Sequence, residues 1–388
     1  MVRSAASTEP FARARRRLRH RGAAARPDPA TRGPTRVRRR VRVDWVRAFC
    51  LAAWATLATA IFTVVGMTQG TAQEMAQGTA PGTAPGTAQE LAGTVGAGAA
   101  GEAPGVVVSI LPLHALVAAV MAGVGTPRLL VRGGASPHNA TLRPSDARAL
   151  SAAKLVVWAG PGLEAFLVKP LGALAARARV LTLAEAPGMV LLERRDGGTF
   201  EAGAEPERDG HGLSGPVNPH LWLDPRNAME ISRQTAAALA ELDPGHAPRY
   251  AANAARLIAR LEVLDRELTA RLDPVAEIPF AVFHDAYPYL EARYALRALG
   301  ALTADPAVPP GARRLAELRA LLTEQGAACV FAEPQFNPAL VAAMTEGSGA
   351  RVATLDPLGA ALTPGPEAYF VLMRDLAEGL VHCLKGGE

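Results

Sequence analysis

From residue 106 onward, short apolar runs alternate with longer amphipathic stretches. Val106–Ile110, Leu129–Val131, Leu155–Trp158 and Val180–Leu183 are brief, mostly β-branched or leucine-rich, and bounded by turn residues. Runs of that kind predict strands buried on both faces of a parallel sheet. Leu113–Val124 reads as a helix between the first two. A second set follows at Phe280–Phe283, Cys329–Ala332 and Val352–Leu355. The alternation predicts an α/β architecture with mainly parallel sheets flanked by helices.

Between the two sets, Asp243-Pro244 opens and Asp273-Pro274 closes a long periodic stretch. Tyr250, Ala254, Leu257, Leu261, Leu264, Leu268 and Leu272 recur there at steps of three and four, which is one face of a helix. About 26 residues at 1.5 Å each would span roughly 39 Å, the length of a strut with one lobe on either side. Arg143–Leu167 and Gly311–Val341 echo each other as helix, strand, turn, helix, which suggests two similar lobes. The expected division is an N-terminal lobe over 106–243, a linking helix over 244–274 and a C-terminal lobe over 275–388. Residues 194–218, rich in Gly and Glu, are expected to form an exposed loop.

The N-terminal quarter has a different character. Residues 1–47 hold 15 Arg against Glu9, Asp28 and Asp44, a basic arm that also fits a mis-assigned translation start. Ala48 to Met67 is predominantly apolar, with no charge until Glu74. The run fits an export signal over 48–72, cut after the small residues Gly70, Thr71 and Ala72 so that the mature chain starts at Gln73. An uncleaved membrane anchor and a buried core helix are the other readings of a 20-residue apolar run. Cys50 opens the run rather than following it, so acylation there is disfavoured. Residues 73–105, built of Gly, Ala, Thr and Pro with repeated PGTA, read as a linker.

Charge changes the picture once the arm is set aside. The chain holds 41 basic and 36 acidic residues, and removing the arm leaves 26 and 33. A body with that acidic balance has no basic stripe for nucleic acid. Three cysteines without a CxxC exclude a disulfide-built scaffold and the common Cys-rich zinc modules.

Three of the eight histidines share a setting. His138 follows the apolar LLV and the turn GGASP, His220 sits in NPHLWLDP, and His284 ends FAVFH; Asp356 likewise ends VATLDP. Ligands of open α/β lobes gather at the carboxyl ends of strands, so four metal-competent side chains at such ends would converge if the lobes face each other. Three imidazoles with a carboxylate or water suit tetrahedral zinc, whereas magnesium and calcium prefer oxygen shells. The same three-histidine pattern also serves zinc hydrolases, but no HExxH is present and Asp285 or Asp356 would have to act as the base.

The segments GGASPHNATLRPSDARAL, VVWAGPGLEAFL, NPHLWLDPRNA, AVFHDAYPYLEARYAL, CVFAEPQFNPALV and TLDPLG occur in that order. Over about Val106–Lys385 the chain resembles the ZnuA-type zinc-binding components of high-affinity zinc ABC transporters. The resemblance implies two lobes joined by a rigid helix and one Zn²⁺ per chain in the interlobe cleft. It implies a periplasmic solute-binding protein, monomeric and not an enzyme, that delivers zinc to a membrane permease. It places the ligands at His138, His220 and His284. Manganese- and iron-binding relatives carry a carboxylate at the third position, so a manganese or iron binder is the alternative within the family. Asp356 matches a C-terminal-lobe aspartate that binds metal in manganese relatives; water, a glutamate or His211 could complete a zinc shell instead. Pro137 stands where some members have a glutamate, and the 194–218 loop holds His211 where many have a His-rich stretch. Cys329 and Cys383 match a pair that forms a disulfide in some members.

Overall fold

The computed structural model describes residues 103–195, 198–199, 215–304, 306 and 311–387. The basic arm, the apolar run, Cys50, Gln73, most of the Gly/Ala/Thr/Pro-rich stretch and His211 lie outside the described residues.

The N-terminal lobe is a four-stranded parallel sheet. Its strands are β1 (Val106–Val108), β2 (Arg128–Leu129), β3 (Leu155–Trp158) and β4 (Arg179–Thr182), in spatial order β2-β1-β3-β4. The crossovers carry α1 (Leu111–Val120), α2 (Pro144–Ala152) and α3 (Val168–Leu174). α1 begins two residues earlier than the apolar pattern predicts because Pro112 sits in its first turn, where a missing N–H costs nothing. The Met121 amide closes it by donating to the Val117 carbonyl at 2.9 Å, and Gly123, at φ +76°, turns the chain away.

α4 (Pro225–Leu242) and α5 (Ala247–Leu272) follow, and then a five-stranded sheet. Its members are β5 (Gly198–Thr199), β6 (Phe280–His284), β7 (Ala298–Thr303), β8 (Cys329–Ala332) and β9 (Arg351–Thr354), in order β5-β7-β6-β8-β9. All pairs are parallel except β5 with β7. α6 (Pro288–Tyr294), α7 (Ala312–Glu324), α8 (Pro338–Thr345) and α9 (Ala368–Leu384) flank it. The α7–β8–α8 succession fits the echo read from the sequence, and α2–β3 does too, though the helix that follows, α3, starts one residue beyond the stretch read.

α5 is the predicted strut, 26 residues long, and it buries every member of the stripe from Tyr250 to Leu272. Two polar side chains on that buried face hold its ends. The Nδ2 of Asn253 donates to the carbonyls of Val120 (2.8 Å) and Ala122 (2.9 Å), which α1 leaves unpaired at its C-terminus. Near the other end, Asp265 accepts from Tyr294 Oη and Arg293 Nε, each at 3.0 Å, and so grips α6. One continuous apolar core runs from β1 and α1 through α4 and α5 to β6 and α9, with a smaller cluster on the outer face of each sheet. Such a shared core makes bending α5 costly.

Several features differ from the sequence reading; Val180 and Val352, expected in buried strands, are exposed because β4 and β9 lie at the sheet edges. β7, ALGALT, was not predicted: Gly300 and two alanines give it little of the bulk that marks a strand, and its pairing with β6 creates it. The stretch read as an exposed loop is exposed at Arg194 but anchored at its near end. Glu193 bridges to Val217, Arg195 turns inward, and Gly198–Thr199 joins the C-terminal sheet as an antiparallel edge.

Cys329, opening β8, and Cys383, in α9, form a disulfide. Both are buried.

Candidate metal site

Each histidine is delivered by a different local device. His284 is the last residue of β6, whose five residues are all buried, so its direction follows from the sheet register opposite Thr303. His220 precedes a single helical turn, Leu221–Leu223, that leads into α4. Asp224 caps α4 by accepting from the Arg226 amide at 2.8 Å, and Asn227 clasps the carbonyls of Leu221 and Val190, each at 2.9 Å. His138 rides the loop after β2, which reverses through Gly133 and Gly134 at φ +50° and +37°, a backbone that residues with a Cβ rarely adopt.

The three imidazoles converge. Ring centroids lie 4.8 Å apart for His220–His284, 5.1 Å for His138–His284 and 5.6 Å for His138–His220. One nitrogen from each lies within 4.8 Å of the other two. Tetrahedral zinc with Zn–N distances of 2.0–2.1 Å needs nitrogens about 3.3–3.4 Å apart, so small side-chain rotations would close the set. His220 and His284 are almost completely buried, and His138 is half-buried. A cavity of about 10 Å³, room for one small ion or water, lies among them. Ser136 and Pro137 wall it on one side, and Phe336, Pro357 and Leu358 on the other.

Hydrogen bonding assigns the ring tautomers. Asn218 Nδ2 donates to the Asp285 carbonyl at 3.1 Å, so its Oδ1 is an acceptor, and it takes both the backbone N–H (3.1 Å) and Nδ1–H (3.0 Å) of His220. The Nε2 lone pair of His220 is left for a ligand. Burial, and then the neighbouring His284 and His138, push the His220 pKa well below its ordinary value of 6.5, which keeps this ring neutral. His284 Nδ1 meets Glu333 Oε1 at 3.2 Å, and its buried Nε2 has no hydrogen-bond partner among the described residues. A partnerless buried nitrogen is costly unless something fills its place. Glu333 is itself buried, and desolvation raises its pKa against the opposing pull of His284. A carboxylate behind a ligating imidazole is the usual way such rings are oriented and made more basic.

Asp356 stands outside the nitrogen cluster. Its carboxylate accepts from the amides of Leu358 (3.1 Å), Gly359 (3.0 Å) and Ala360 (2.6 Å), and from Gln335 Nε2 (3.1 Å). It closes the turn that carries Pro357 and Leu358 to the cavity.

The sequence reading did not single out Glu333 and Asn218. Their signals were weak: Glu333 is one residue beyond a strand parallel to that of His284, and Asn218 is two residues before His220. His114, left ambiguous, is a structural residue on α1 whose Nε2 bonds the Pro127 carbonyl at 3.0 Å.

Two lobes built on mainly parallel sheets and bridged by a long helix, with histidines from both meeting at one small cavity, define a two-lobed metal-site protein of the solute-binding class. The zinc-uptake complex component A periplasmic family, ZnuA, matches residues 106–383, and the chain belongs to that family. The high-affinity zinc uptake system protein ZnuA of Brucella abortus is 44% identical over 319 residues, covering 76% of this chain and 96% of that protein. The protein of the same name from Yersinia pestis is 37% identical over 290 residues, covering 72% and 91%. A crystal structure of a ZnuA deletion mutant with zinc bound superposes with a TM-score of 0.59 at 28% identity, covering 72% of this chain and 96% of that one.

Proposed function

We propose that this chain is an extracytoplasmic zinc-binding protein that captures one Zn²⁺ through His138, His220 and His284 and passes it to the membrane permease of a zinc ABC transporter. The observation that carries this reading is the convergence of three imidazoles from both lobes on one small cavity. An all-nitrogen set suits zinc and disfavours manganese by ligand type and by the Irving–Williams order. The deciding experiment is a competition titration of the purified protein. One zinc per chain should bind and resist an equal concentration of manganese; displacement by manganese would move the protein to the manganese- or iron-binding alternative.

The carboxylates around the cluster support binding rather than hydrolysis. Glu333 contacts His284 Nδ1, Asp356 closes a turn, and Asp285 is paired with Arg195, so each of the three is already engaged. The four hydrogen bonds at Asp356 favour a role just beyond the metal, with water completing the shell. Asp356→Ala should then weaken zinc by about 10–100-fold, read by chelator competition, and a zinc-bound structure should show no aspartate oxygen within about 2.2 Å of the ion.

Acid should release the ion, because protons compete for the ligand lone pairs. With the His220 pKa held low, the share of this ring in the loss falls below pH 6.5 rather than at it. The same shift affects folding. A neutral His220 leaves metal-free stability intact above 6.5; below 6.5 the unfolded chain takes up a proton that the folded chain resists, and stability declines. Zinc affinity measured between about pH 7.5 and 5 should fall with acid; a flat profile would remove histidine as the principal ligand.

We assign residues 48–72 to an export signal, 73–105 to a linker, 106–243 and 275–388 to the two lobes and 244–274 to the linking helix, with the mature protein periplasmic and monomeric. The periplasmic description of the family and the disulfide support this, since such bonds persist in oxidising compartments. Among the described residues no helix is long and apolar enough to cross a membrane. Mass spectrometry should find a mature start near Gln73, and intact Cys50 in the mature chain would refute the cleavage.

A further inference from the structure

The two lobes are connected a second time, beside the histidines. The segment before β5 runs antiparallel to the one that leads into His220: Asn218 N donates to Leu192 O and Arg194 N to Pro216 O, each at 2.8 Å. Two residues after the Glu193–Val217 bridge, Arg195 turns toward the C-terminal lobe, and Gly198–Thr199 then pairs with β7. The Arg195 guanidinium reaches Asp285 through Nε at 3.1 Å to both carboxylate oxygens, and through Nη2 as well. It reaches Glu291 through Nη1 at 2.7 Å and Nη2 at 3.0 Å. Both acids are nearly excluded from solvent, so the pairing is a built clamp rather than a surface contact. Asp285 directly follows His284, and its carbonyl receives the Nδ2 of the same Asn218 that orients His220.

We infer that Arg195 is a positioning residue for the metal site: by clamping the crossing segment to Asp285 and Glu291, it fixes the strand end of His284 against the Asn218–His220 segment. Two ligands from different segments are thereby held at one separation before the ion arrives, and a pre-set separation raises affinity by cutting the ordering that binding would otherwise require. Only a guanidinium has a planar fork able to engage two carboxylates at once; a lysine supplies the charge without the geometry.

The inference rests on the zinc-binding reading above, and the wild-type titration separates the two: wild-type protein that does not bind zinc fails that reading before any variant is made. Zinc affinity by chelator competition and the melting temperature of the metal-free protein are measured for Arg195→Met, Arg195→Lys and the triple variant Arg195→Met/Asp285→Asn/Glu291→Gln. Arg195→Met should lose about 10–100-fold in affinity, the range of lost supporting contacts at metal sites, and should also melt lower because it strands two buried carboxylates. The triple variant removes those charges, so its melting temperature should recover while affinity stays at least about tenfold weak. Arg195→Lys should likewise fold well and bind weakly, which keeps the test decisive if the triple variant does not fold. Zinc affinity that recovers together with melting temperature in either variant, or wild-type affinity in Arg195→Met, would reduce Arg195 to a stabilising contact and overturn the inference.

Discussion

His284→Ala is expected to weaken zinc binding by at least about 100-fold, and by more than any substitution of a residue that only supports a histidine. Structural zinc sites of protein donors hold the ion with about 10–16 kcal/mol. If three imidazoles share that roughly equally, one is worth about 3–5 kcal/mol, and each 1.4 kcal/mol is a factor of ten. The loss is greater here than at an exposed ligand, because His284 Nε2 is buried. Glu333→Gln provides the internal comparison. It keeps the volume beside His284 Nδ1 but replaces the carboxylate that orients the ring, so the expected loss is about 10–100-fold. Competition with a zinc chelator at fixed pH measures both. The proposed ligand set fails if His284→Ala binds as well as Glu333→Gln.

Removing the disulfide is expected to separate stability from function. Cys329 and Cys383 are 54 residues apart in sequence, and loop closure of that size in the unfolded chain corresponds to about 4 kcal/mol on the chain-entropy account. The bond ties the first residue of β8 to α9, inside the shared core and opposite Phe280, at the other end of β6 from His284. The double variant Cys329→Ser/Cys383→Ser should therefore melt roughly 8–16 °C lower, at 2–4 °C per kcal/mol for a chain of this order of size, while binding zinc within a few-fold of wild type at temperatures where it stays folded. Calorimetry of the metal-free protein, followed by titration well below the lowered melting point, checks both halves. A large loss of affinity would mean that the bond positions β8, and through it Glu333.

Much of this molecule is legible from residue order because its signals are local. The seven-residue stripe of α5 is a periodicity, and helix geometry alone turns it into one buried face. The short apolar runs could be read as strands because β1, β3, β6 and β8 are buried almost throughout and carry almost no polar positions to confuse the pattern, whereas the edge strands β4 and β9, read the same way, are exposed along much of their length. His138, His220 and His284 stood out through their neighbours, each following or entering an apolar run. Tertiary contacts decided the rest. ALGALT becomes β7 only because β6 lies beside it. Residues 194–199 have the composition of a loop, yet Arg195 finds two carboxylates, one of them 96 positions away, and its neighbours find a sheet edge. At Asp356, Gln335 reaches in from the turn after β8 to join three downstream amides on the carboxylate, a contact the motif alone did not show. Glu333 gains its place behind His284, 49 residues earlier, only through the register of β8 against β6. Periodicity and motif spacing belong to the chain alone, whereas the partner of a buried charge or ring nitrogen is chosen by packing between segments that sequence order leaves far apart.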